Sequence, residues 1–427
     1  LSMLFEALYN VVDSLFISHV SEKALTAVSL AFPIQLLVVS ITVGTAVGIN
    51  AVLSRSLGER NQKNVDSAAY NGIFLALVSY IVFLAFGLFL ARAYFAWQSN
   101  DREIVQYGVD YLSVCMIFSF GASGQIAFQR LLQSTGKTGL SMVSQLVGAC
   151  FNIVFDPILI FGLFGFPAMG ARGAAIATVA GQIIALGIAV FFNLTKNGEI
   201  HFKFRGIRPN GKMIAEIYKI GIPAIIMQAL NSVMAFGVNF ILIKISSTVV
   251  AAFGVYIKVQ NFIFMPAFGV NNGVIAMAAF NYGARNKKRV DETIKYGMLY
   301  AGAIMVIGIA IMHLLAAPIL TVFDASAELM SIGIVTMRVI SLSFIFVAFT
   351  LVAQGVYNAL GNGMFSLIIT LCRVVVILLP VLYLFAKFFT LNTIWWAFVL
   401  AECGSAIAGA FLLEKIYKQK VANLTRG

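Results

Sequence analysis

The chain is expected to be an all-α polytopic membrane protein, with about twelve transmembrane helices in two six-helix bundles related by a parallel internal repeat. Three observations predict this. Sixty per cent of the residues are hydrophobic, only 11% are charged, and the mean hydropathy is +0.94, a balance that leaves too little charge for a water-facing exterior. The apolar residues fall in runs near the roughly 20 residues that span a bilayer. One constant shift also superposes the first half on the second.

In chain order, the expected helices cover about 1–20, 24–54, 68–95, 105–131, 140–163 and 171–194, then 220–244, 249–278, 294–317, 329–358, 365–388 and 393–414. This gives an N-lobe over 1–194, a polar linker over 195–219, a C-lobe over 220–414 and a basic tail over 415–427. The linker carries Lys196, Lys203, Arg205, Arg208, Lys212 and Lys219 around an Asn210-Gly211 turn. Arg55, Arg60, Lys63, Lys137, Arg285, Lys287, Lys288, Arg289 and the tail bases belong to the same side. Lys23, Arg102, Arg172 and Lys387 mark the other, so both termini are expected to be cytoplasmic.

The repeat has an offset of 225. It pairs Gly58 with Gly283, Arg60 with Arg285, Asp66 with Asp291, Gln129 with Gln354 and Gly136 with Gly361. An even number of helices per half gives both halves the same orientation, with the repeat axis along the membrane normal. Helix seven begins Gly221-Ile222-Pro223, whose proline has its counterpart just ahead of Leu1. The sequence is therefore expected to open partway into its first helix, with no cleavable leader.

The net charge of +12 sits in short connectors, as membrane topology requires, so no nucleic-acid partner is expected. Cys115, Cys150, Cys372 and Cys403 are isolated in apolar runs, and His19, His201 and His313 are scattered. Neither disulfides nor a transition-metal centre follow from that pattern.

The acids inside the apolar runs carry the functional reading, because an ionisable group at membrane depth is expensive. Asp13 lies four residues after Tyr9, with Glu6 seven residues before it; Asp156 lies four after Asn152, followed by the helix-weakening Pro157. The repeat places Val238, Ile377 and Val381 opposite Asp13, Asn152 and Asp156, so this chemistry belongs to the N-lobe alone. If helices one and five face each other, two carboxylates, an amide and a phenol share a chamber. Two such carboxylates cannot both ionise cheaply, which makes a proton site. The same oxygens suit Na+.

Elsewhere, Glu402 either faces substrate or forms a structural pair with Arg373. Gln35, Gln228, Asn231, Asn239, Gln260 and Asn272 are polar groups that could contact substrate or serve the site as accessories. Phe and Met, 37 and 15 residues, supply lipid contact, core and an adaptable apolar surface.

The Tyr9-Asn10-x-x-Asp13 pattern resembles the multidrug and toxin extrusion (MATE) transporters, as do Ala31-x-Pro33, Asn152-x-x-x-Asp156-Pro157 and the Gly173 to Thr178 stretch. The resemblance spans nearly the whole chain. It implies a cation or proton site at Tyr9, Asp13, Asn152, Asp156 and Thr178, with Na+ the only metal ion concerned, and no organic cofactor or enzymatic activity. It further implies export of lipophilic, often cationic compounds in exchange for H+ or Na+, by alternating access around a central cleft, by a monomer in the plasma membrane. Glu6 departs from the family's expected Gln. The acids some members place in helices seven, eight and ten give way to Gln228, Asn231, Asn239 and Asn272. A lipid-linked saccharide flippase is the alternative, expected to show a cationic interior; a passive channel and a membrane transferase fit less well.

Overall fold

Nine helices of the computed structural model are long and apolar enough to cross a membrane. Two bent helix pairs bring the spans to eleven among the described residues. Those residues are 22–98, 101–202, 209–323, 325–422 and 424. The first expected helix, with Glu6, Tyr9 and Asp13, lies outside them.

The chain divides into two compact units, Leu1–Gly221 and Ile222–Gly427. The first holds α1 (Glu22–Gly58), α2 (Gln62–Phe89), α3 (Ala91–Gln98), α4 (Arg102–Ile117), α5 (Phe120–Ser134), α6 (Thr138–Phe161) and α7 (Gly170–Lys196). The helix α8 (Gly211–Leu242) carries the chain from one unit to the next. The second unit continues with α9 (Ser247–Gly283), α10 (Lys287–Leu314), α11 (Ala316–Val322), α12 (Ala327–Ser341), α13 (Phe344–Ala359), α14 (Gly363–Leu371), α15 (Leu379–Phe388) and α16 (Trp396–Ile416). A π-helical segment, Cys372–Leu378, joins α14 to α15.

The repeat is written in the backbone. Asn61 and Asn286 cap α2 and α10 with the same φ of −97° and ψ of 84°, each side chain accepting from the amide three residues on. Just before them, Arg60 and Arg285 take positive φ values of 55° and 54°, a conformation that strains a side-chain-bearing residue by about 1–2 kcal/mol. Gly136 and Gly361 turn at 78° and 75° without that strain. Each of these pairs is 225 residues apart. The bends also correspond: α4 meets α5 at 40°, and α12 meets α13 at 46°.

Between α7 and α8, His201 and Asn210 bond to α2 within the first unit. The His201 amide donates to Asp66 Oδ1, the Tyr70 hydroxyl donates to the His201 carbonyl and the Asn210 amide donates to Asn71 Oδ1, each at 2.9 Å. At the start of α8, Glu216 accepts from Arg55 of α1 at 2.6 Å.

Each unit buries its own apolar core. In the first, Phe83, Phe95, Tyr111, Leu112 and Met116 are enclosed. In the second, Phe253 packs with Trp395, Tyr256 and Phe398. Leu77, Ile81, Val82 and Leu88 along α2 remain exposed, a surface that lipid covers without the penalty water would impose.

Candidate functional site: a buried polar row on α6 and α7

The site begins with glycine. A Cβ on Gly148 of α6 would lie 2.7 Å from the Gly181 carbonyl of α7, and one on Gly173 would lie 2.5 Å from the Leu159 carbonyl. Only residues lacking a Cβ let these backbones pass so closely, which is how small residues serve membrane helix pairs. The close passage brings Thr178 of α7 to Asn152 of α6.

There the Asn152 amide nitrogen donates to Asp156 Oδ1 at 3.1 Å and to Thr178 Oγ1 at 3.2 Å. Asp156 is 0% exposed and Asn152 3%. Asn152 Oδ1 is buried and has no hydrogen-bond partner among the described residues. Next to the row, Pro157 sits inside α6. Its ring nitrogen cannot donate to the Ile153 carbonyl, which loosens the helix at the site. Phe151 and Phe155 stack at 4.1 Å on the same helix. The row thus joins a carboxylate, an amide and a hydroxyl, with the amide N–H group between the other two; these are residue types whose oxygens a hard cation prefers, and the carboxylate is equally a proton acceptor.

The structure thus brings together three of the five residues in the expected cation set: Asn152, Asp156 and Thr178. Tyr9 and Asp13, with the accessory Glu6, lie outside the described residues. Gln35 donates to the Tyr111 hydroxyl at 3.0 Å, tying α1 to α4 rather than joining the row. In the second unit Asn231 donates to Gln228 at 3.3 Å along α8. Asn239 is exposed on α8, while Gln260 and Asn272 are half-buried on α9. Glu402 pairs with Arg373, whose Nη1 stands 2.8 Å from Glu402 Oε1, a contact compatible with both of the roles expected for it.

A second buried network lies in the first unit, where the sequence marks Gln129 only as a repeat position. Arg130 of α5, 5% exposed, donates to Gln133 Oε1 at 2.8 Å; Gln133 donates to Ser141 Oγ at 3.0 Å and Gln129 to Ser144 Oγ at 3.1 Å. This network fastens α5 to the first half of α6. Its signal is Gln129-Arg130-x-x-Gln133 followed by Ser141-x-x-Ser144, polar groups at helical spacing on either side of the Gly136 turn.

A family model described as MatE matches residues 1–158 and 223–384, which together make up most of the chain. A probable multidrug resistance protein NorM of Thermotoga maritima is 26% identical over 93% of this chain and 86% of its own. A multidrug export protein MepA of Staphylococcus haemolyticus is 25% identical over 97% and 90%. Among solved structures, an outward-facing multidrug resistance MATE family transporter of the MOP superfamily superposes with a TM-score of 0.92 at 23% identity, covering 98% of this chain and 93% of that one. A MOP superfamily transporter from Pyrococcus furiosus gives 0.89 at 22% identity, covering 98% and 94%. The helical units, the repeat and the extent of these matches agree: the chain belongs to the MatE family and is a transporter, not an enzyme.

Proposed function

We propose that the protein exports lipophilic, often cationic, drug-like compounds in exchange for H+ or Na+ by alternating access. The observation that carries this reading is the buried Thr178–Asn152–Asp156 row at a proline-weakened point of a membrane helix. A carboxylate this deep favours bound positive charge. Asp156, Asn152 Oδ1 and Thr178 Oγ1, with Asp13 and Tyr9 of the first helix, are the groups that take the coupling cation. The names of the relatives, multidrug resistance and multidrug export proteins, support the substrate class and leave the saccharide flippase the weaker alternative. The distribution of Lys and Arg in the connectors supports a multi-pass plasma-membrane protein with cytoplasmic termini and no nucleic-acid partner, and the proposal takes it to work as a monomer in contact with lipid.

Coupling then requires that cation and substrate have different affinities for the two access states, since a ligand without such a difference shifts nothing. Efflux of a fluorescent organic cation from vesicles reconstituted with the full chain tests this. An imposed pH or Na+ gradient is expected to drive efflux, and Asp156→Asn to abolish the drive. Gradient-independent efflux, or full activity in Asp156→Asn, contradicts the proposal.

A further inference from the structure

We infer that the Arg373–Glu402 pair of the second unit is a binding site for zwitterionic substrates, compounds carrying both a carboxylate and a cationic nitrogen. The inference goes beyond the cation site and rests on the export reading only for the direction of transport.

The pair is not required by the fold. By the 225 offset Arg373 corresponds to Gly148 (373 − 225 = 148), and the first unit builds the equivalent helix contact from glycines that pass at backbone distance. The same offset places Ala177 opposite Glu402, so the first unit has two small uncharged residues at the positions where the second buries two charges; such burial is costly, and replacing such a pair with well-packed apolar groups is often neutral or stabilising. Arg373 also lies in the π-helical segment Cys372–Leu378, and π-bulges concentrate at functional sites.

Both members keep unspent hydrogen-bonding capacity. Arg373 Nη1 engages Glu402 Oε1 at 2.8 Å, while Arg373 Nε is buried with no hydrogen-bond partner among the described residues. Glu402 Oε2 receives a 3.4 Å contact from Ser405 Oγ and no shorter one among the described residues. The side chains are 22% and 12% exposed, so neither is sealed inside the unit.

Charge then selects the ligand. A singly charged compound that took one member would strand the other, and an uncompensated buried charge is strongly unfavourable. A zwitterion replaces the internal pair with two external ones: its carboxylate lies along the guanidinium fork, and its cationic nitrogen meets Glu402. No net charge is left behind.

Two probes that differ at one group test this: tetramethylrhodamine, whose free carboxylate makes it a zwitterion, and its methyl ester, a cation. Binding to the purified full-length protein is read by fluorescence anisotropy as the acid-to-ester affinity ratio. Arg373→Lys keeps the positive charge but removes the fork, and is expected to lower the ratio by about tenfold. The paired change Arg373→Met with Glu402→Met removes the charges together, and is expected to lower it at least as far with the melting temperature held. An unchanged ratio in either variant, or no binding of the acid by the parent protein, overturns the site. Failure of the export reading is distinct: gradient-driven efflux is then absent while the binding ratio still responds to these changes.

Discussion

Gly148 and Gly181 face each other across α6 and α7 so closely that a Cβ built on either would lie 2.7 Å from the other's carbonyl oxygen. The contact sits one turn from Asn152 and just under one turn from Thr178. It therefore sets the distance across which the buried polar row forms. Packing here and chemistry at Asp156 are parts of one arrangement.

Gly181→Ala accordingly tests a spacing. The added methyl must push the two backbones apart at a cost of about 1–3 kcal/mol, and the 3.2 Å Asn152–Thr178 bond is expected to lengthen with them. A lowered melting temperature should accompany a loss of cation-driven efflux larger than any loss of folded protein. Efflux that falls only in proportion to folded protein would show that the close approach is structural alone.

Thr178 is expected to act through its hydroxyl. Thr178→Ser should keep cation dependence within about twofold of the parent, whereas Thr178→Val, which preserves shape and deletes the oxygen, should raise the half-saturating cation concentration about tenfold. Equal behaviour of the two variants would remove Thr178 from the site.

The contrast between Asn152 and Gly148 shows what was legible in the sequence. Asn152 and Asp156 announce themselves, because polar groups four apart in an apolar run share a helix face. The fold was legible too: matched residues such as Arg60 and Arg285 carry the repeat, and the structure returns it as nearly identical backbone angles. Gly148 and Gly181 were not legible, since they are two of 36 glycines and nothing local marks which ones touch another helix. Thr178 came only through family resemblance, because its distance from Asn152 depends on the α6–α7 turn. The Arg373–Glu402 pair stayed open for a similar reason. Two helices must be set in register before an ion pair between them can be read, and the π-helical segment around Arg373 shifts that register.

Arg60 and Arg285 offer a stability test of the repeat. Both hold positive φ, which asparagine tolerates better than arginine. Arg60→Asn and Arg285→Asn should each stabilise the protein by about 0.5–1 kcal/mol, by similar amounts. Thermal unfolding of the single variants checks this, and a destabilising change at either position would mean that its arginine side chain makes compensating contacts.

The Arg55–Glu216 ion pair should matter little to stability despite its 2.6 Å length. Its side chains are 26% and 52% exposed, and exposed pairs contribute at most about 1 kcal/mol. Glu216→Gln is expected to shift the melting temperature only slightly, with the shift fading in high salt. A large, salt-insensitive loss would contradict a surface role.

The most direct test of the central claim is the cation dependence of substrate binding at equilibrium. Affinity of the purified protein for a fluorescent organic cation would be titrated against pH and against Na+, for the parent and for Asp156→Asn. The coupling account predicts that one of the two ions weakens substrate binding in the parent, that the substrate weakens binding of that ion by the same factor, and that Asp156→Asn binds substrate with no dependence on either. Substrate affinity in Asp156→Asn that still falls with the same ion, to the same extent as in the parent, would contradict it and place the coupling site elsewhere.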